Sequence, residues 1–166
     1  MTAFQVSRTH RTYIGYATLL LLLGCASSQN TKTVVKPQLK DPQVITFEEL
    51  SRELEAYTVV DIRRRDEVIE YGQIPGSHVL PLQEISEALG LSEEEFLFKY
   101  GFPKIRNDDT SIVLTCTAGV RVQIANKLLT ENGYRNHRLY LGSFNDWVKN
   151  GGELIKPGKP FQPPIQ

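Results

Sequence analysis

The chain has 166 residues, of which 40% are hydrophobic and 23% charged, and its formal net charge is zero. That length holds one domain with enough apolar material for a real core without disulfide staples. The charge balance gives no pointer to nucleic acid or an acidic polymer, and the two distant cysteines, Cys25 and Cys116, make neither a disulfide framework nor a complete thiol zinc site.

Residues 1–40 contain no Asp or Glu but carry Arg8, Arg11, Lys32, Lys36 and Lys40. An apolar stretch follows the two arginines over residues 13–26, with a leucine run at 19–23. The run falls short of the about 20 apolar residues that a membrane span needs. A basic front, a short apolar core and the small residues Gly24, Cys25 and Ala26 fit a signal peptide. Leu22-Leu23-Gly24-Cys25 also resembles a bacterial lipoprotein box, in which Cys25 would be lipidated. An acid-free, Arg-bearing start is equally the mark of a mitochondrial transit peptide. The compact leucine run favours the secretory or membrane-anchored address. Residues 1–26 are therefore read as a targeting segment and 27–42 as a polar linker, with the domain at 43–153 and a Pro-rich, mobile tail at 154–166.

Within the domain, Val44-Ile45 is a short strand candidate before a helix whose start is a capping box, Thr46 with Glu49. Phe47, Leu50 and Leu54 share one helical face. Residues 58–63 form a compact apolar strand that ends in charge, the pattern of a strand buried on both faces of a parallel sheet. A turn at 74–77 and a brief strand at 78–80 lead to a second capping box, Ser92 with Glu95, for a helix running to about Tyr100 and stopped by Gly101. The strongest strand is 111–115. A turn at 116–119 then opens a helix through Ile124, Leu128 and Leu129 that stops near Gly133. Residues 137–141 give another strand, and Ser143 is placed to cap a last helix carrying Phe144, Trp147 and Val148. Alternating strands and helices imply an α/β domain of three layers, with a central, mostly parallel five-stranded sheet and helices on both faces.

In open α/β sheets ligands bind beyond the carboxyl ends of the strands. Cys116 stands there, directly after the strand ending at Thr115, in the loop Cys116-Thr117-Ala118-Gly119-Val120-Arg121. Its small side chains and glycine allow backbone N–H groups to curl around one centre as an anion nest. The helix N-terminus adds partial positive charge, and Arg121 a full one. Together these favour the nucleophilic thiolate and would hold an anionic sulfur donor. Cys116 alone would read as a small buried hydrophobe; the glycine, the arginine and the helix behind it turn the balance toward chemistry.

The loop matches the rhodanese pattern Cys-x-x-Gly-x-Arg. Val59-Val60-Asp61-Ile62-Arg63 followed by Tyr71-Gly72-Gln73-Ile74-Pro75-Gly76-Ser77 resembles that family's first signature, and Leu141-Gly142-Ser143-Phe144-Asn145-Asp146-Trp147 its closing motif. Residues 96–109 are similar to small single-domain animal thiosulfate sulfurtransferases. The resemblance covers about residues 44–153. It departs at Gln73, where His is common, and at Gly142-Ser143, where a Gly-Gly pair is frequent.

The resemblance implies a thiosulfate sulfurtransferase that works by double displacement. Cys116 takes sulfur from a donor such as thiosulfate as a persulfide and passes it to cyanide, glutathione or a protein thiol. Thr117, Ala118, Gly119, Val120 and Arg121 would bind the donor anion, with Arg121 holding its sulfonate or ordering the loop. Asp61 and Arg63 would brace the site, their alternative being an ordinary surface ion pair. No cofactor is implied, and no metal: His10, His78 and His137 lack ligand spacing. Arg63-Arg64-Arg65 reads as a solvated charge cluster. A Cys-dependent phosphatase or arsenate reductase fits less well, since its loop has five residues between Cys and Arg and this one has four. The other rival is a binding module without catalysis.

Overall fold

A computed structural model describes residues 44–165. The targeting, lipidation and linker readings, Cys25 included, lie outside the described residues.

The elements follow the alternation expected: α1 (Phe47–Arg52), β1 (Thr58–Asp61), α2 (Arg65–Tyr71), β2 (His78–Val79), α3 (Ile85–Gly90), α4 (Glu93–Tyr100), β3 (Ile112–Thr115), α5 (Val120–Glu131), β4 (Arg138–Leu139) and α6 (Ser143–Lys149). The described strands form one all-parallel sheet in the order β2-β1-β3-β4. Every residue of β3 is buried, as a strand covered on both faces requires. Alternate side chains feed two cores. Val60, Leu114 and Leu139 meet Phe96, Tyr100, Val122 and Leu129 on one face, while Val59 and Val113 meet Leu50, Tyr140, Phe144 and Trp147 on the other. Three layers result, with α3, α4 and α5 on one side and α1 and α6 on the other.

Both expected capping boxes are present, at Thr46–Glu49 and Ser92–Glu95, and Gly101 closes α4 in the left-handed conformation at φ +75°. Among the described residues the sheet has four strands rather than five. Val44 makes a single parallel bridge to Leu139, and the Ile45 N–H donates to the Leu139 carbonyl at 3.0 Å. Thr46 then caps α1, so the chain leaves the sheet after one pairing. The structure adds two helices, α2 and α3, to those the sequence predicts.

The tail read as mobile lies against the domain. Ile155 bridges to Gln73 in antiparallel fashion, and Gly158 donates its N–H to the Ile69 carbonyl at 3.2 Å. Gln73 is the clamp: its Nε2 donates to the Ser77 carbonyl at 2.6 Å and its Oε1 accepts from the Lys159 N–H at 2.9 Å.

Candidate active site

The register of the sheet sets the site. Asp61 pairs with Thr115, so the last residues of β1 and β3 end side by side and both chains turn out of the sheet together. Cys116 follows at once and is buried, with 1% of its surface exposed, while Thr117 is half-buried and Ala118 and Val120 are open to solvent. The sulfur thus lies at the floor of a shallow loop whose rim is accessible.

The loop closes on the sulfur through Gly119, whose N–H donates to Cys116 Sγ at 3.1 Å. Gly119 has φ +83°, and a Cβ there would overlap the Leu141 carbonyl oxygen. Only glycine meets both conditions. The helix α5 starts at the next residue, so its unpaired first-turn N–H groups lie beside the loop. From the far side, the Phe144 N–H donates to the Cys116 carbonyl at 2.9 Å and the Asn145 N–H to the Thr117 carbonyl at 3.0 Å.

Arg121 does not project a free charge over the loop. Its guanidinium donates to Glu67 at 2.7 and 2.8 Å and to Thr117 Oγ1, which ties the loop to α2. These bonds outweigh burial and lower the Glu67 carboxyl to about 2. Of its two sequence roles, the geometry matches ordering the loop.

Asp61 and Arg63 are 0% and 1% exposed, so the surface ion-pair reading is overturned. Alternation along the chain aims both into the layer beneath the loop. Arg63 Nε and Nη2 donate to the Asp61 carboxylate, the shortest contact being 2.6 Å, and Nη2 also reaches the Gly72 carbonyl at 2.8 Å. The guanidinium carbon stands 4.0 Å from the centre of the Phe144 ring. Burial pushes the Asp61 carboxyl up and the Arg63 bonds oppose it. The solvated triplet is corrected too, since of its members only Arg64 is exposed and Arg65 is paired with Glu84 at 2.5 Å.

Ser143 departs from its expected role as a helix cap. It is the first residue of α6, not its cap, and its φ of +56° is the one positive value at a non-glycine position among the described residues. That backbone costs an L-residue about 1–2 kcal/mol. Its fully buried hydroxyl donates to the Tyr140 carbonyl at 2.8 Å, accepts from the Cys116 N–H at 3.2 Å and lies 3.6 Å from Cys116 Sγ. The visible signal was Ser where a Gly-Gly pair is frequent; Glu67 carried no signal at all.

The model of the rhodanese-like domain matches residues 46–150. The chain belongs to that family. Among curated relatives, this rhodanese-like protein is 35% identical over 124 residues to the mitochondrial thiosulfate sulfurtransferase RDL2 of Saccharomyces cerevisiae, which covers 72% of this chain and 82% of that protein. It is 33% identical over 119 residues to a thiosulfate:glutathione sulfurtransferase of the same yeast, covering 68% of this chain and 83% of the relative. The human single-domain sulfurtransferase TSTD1 superposes with a TM-score of 0.60 at 29% identity, over 64% of this chain and 95% of that one. The rhodanese-like assignment therefore places the protein, at family level, among sulfurtransferases.

Proposed function

We propose that the protein is a thiosulfate sulfurtransferase that carries sulfane sulfur on Cys116 as a persulfide and delivers it to a thiophilic acceptor such as glutathione, cyanide or a protein thiol. The observation that carries this reading is the Cys116 sulfur at the floor of the loop, held by the Gly119 N–H at 3.1 Å and set before the N-terminus of α5. In the first half-reaction the thiolate attacks the outer sulfur of thiosulfate. A new S–S bond forms to Sγ while the bond to the sulfonate breaks, and its electron pair leaves with sulfite. In the second, the acceptor bonds to the outer sulfur and the S–S pair returns to Sγ as thiolate.

Backbone N–H groups of residues 117–121 would stabilise the donor and the persulfide. Arg121 orders the loop through Glu67, and Asp61 with Arg63 supports it from beneath. Residues 43–153 form the functional unit, a reading supported by the family match at 46–150. Names of relatives that specify thiosulfate and glutathione support the donor and one acceptor.

The test is thiosulfate-dependent turnover of the full chain, with cyanide and with glutathione, beside Cys116→Ser. Turnover is expected for the wild type alone. Activity retained in the serine variant would refute the carrier, and a folded wild type without turnover would favour a non-catalytic binding module.

A further inference from the structure

Ser143 is held in a left-handed backbone conformation that glycine adopts freely, so its side chain needs a reason beyond the turn. The hydroxyl has a single hydrogen, directed at the Tyr140 carbonyl at 2.8 Å, and it accepts from the Cys116 N–H at 3.2 Å. The same oxygen lies 3.6 Å from Cys116 Sγ, long for oxygen partners but within reach of the larger sulfur atom. The Tyr140 carbonyl also accepts from the Ser143 N–H at 3.1 Å, so it keeps a partner when the hydroxyl turns away. The bond from the Cys116 N–H remains in either orientation. The network has two arrangements of one rotor: a neutral thiol donates to the hydroxyl oxygen, whereas a thiolate receives the hydroxyl hydrogen.

We propose that Ser143 is a catalytic residue whose hydroxyl turns to donate to Cys116 Sγ when the sulfur carries negative charge, and that it serves sulfur delivery more than sulfur loading. This rests on the persulfide reading of Cys116. The direction follows from where charge develops. During loading, Sγ begins as thiolate and loses charge as its new S–S bond forms, so a donor on Sγ helps the reactant. During delivery, Sγ is the leaving group and gains the electron pair of the breaking S–S bond. A second donor beside the Gly119 N–H stabilises that departure. A hydrogen bond to a charged atom in a water-excluded site is worth on the order of a tenfold change in rate or more.

The experiment separates the half-reactions of the full-length protein. Wild type, Ser143→Gly and Ser143→Ala are loaded with thiosulfate, with the added sulfur followed by intact mass, then discharged with glutathione in a single turnover. Glycine keeps the backbone without strain, and alanine controls for chain flexibility. Delivery is expected to slow by about tenfold in both variants, with loading changed much less. Discharge at the wild-type rate, or equal slowing of both half-reactions, would overturn the proposal. A wild type that acquires no sulfur would instead overturn the persulfide reading, and the proposal with it.

Discussion

Arg121 and Glu67 meet in a two-pronged ion pair at 2.7 and 2.8 Å, so the cation that ends the Cys116 loop is neutralised within the protein by a carboxylate from α2. The loop sequence leaves Arg121 either holding an anion or ordering the loop; in the structure its guanidinium is occupied in fastening the loop. Removing the carboxylate charge while keeping its shape should expose the arginine to substrate. With Glu67→Gln, the unpaired Arg121 charge should attract a dianionic donor and lower KM for thiosulfate by about fivefold, an effect that fades in high salt. An unchanged or raised KM at low salt would count against it. The same pair links stability to acid. Its carboxyl is lowered from 4.5 to about 2, so its contribution is complete above pH 4.5 and declines as pH falls toward 2. Melting temperatures of wild type and variant should converge across that window.

Gly119 combines a left-handed backbone with direct packing on the Leu141 carbonyl. Gly119→Ala must displace either the loop or the chain before α6, and with it the N–H bonded to Cys116 Sγ. A fall in turnover of at least a hundredfold is expected, on the scale of losing one oriented donor. Circular dichroism should still report a folded domain. Near-normal turnover would show that the loop tolerates another shape.

The Asp61–Arg63 pair predicts a non-additive stability pattern. Asp61→Asn leaves a buried guanidinium without its counter-charge and should destabilise by about 3–5 kcal/mol. Replacing both, Asp61→Asn with Arg63→Met, should recover much of that loss because no lone charge remains buried. Urea unfolding of the two single variants and the double variant measures the coupling. Additive losses would mean that the residues act independently.

His137 is 3% exposed, with its Nε2 2.8 Å from Asn126 Oδ1, and burial pulls it down from 6.5 to about 4. Between those values the unfolded chain binds a proton that the folded one refuses. The domain should therefore lose stability as pH falls from 6.5 to 4, by about 3 kcal/mol in total, with no further loss from this group below 4. His137→Gln should flatten that part of the pH–stability curve. An unchanged slope would exclude His137 as its source.

The local features of this fold were readable along the chain. The run 111–115, the glycine at 119 and the helix after it lie within about twenty residues and define the Cys116 loop without help from elsewhere. Helix α2 was invisible because it carries mainly charged side chains and buries only Val68, which leaves no apolar stripe to count. Glu67 became part of the site only through a contact to a residue far along the chain. The burial of Arg63 likewise depends on Phe144 arriving beneath the loop. Ser143 was misread for a clear reason: Ser before Phe144 and Trp147 is a helix-start signal, but a capping serine takes an extended backbone and this one is left-handed. Where the family pattern has glycine, the departure itself was the better clue.

Sulfur carriage by Cys116 can be read from the intact mass of the full chain after brief exposure to thiosulfate. The wild type should gain the mass of one sulfur atom and lose it on addition of cyanide, while Cys116→Ser gains none. A folded wild type that stays at its starting mass, or a serine variant that takes up the same increment, would show that Cys116 is not the sulfur carrier.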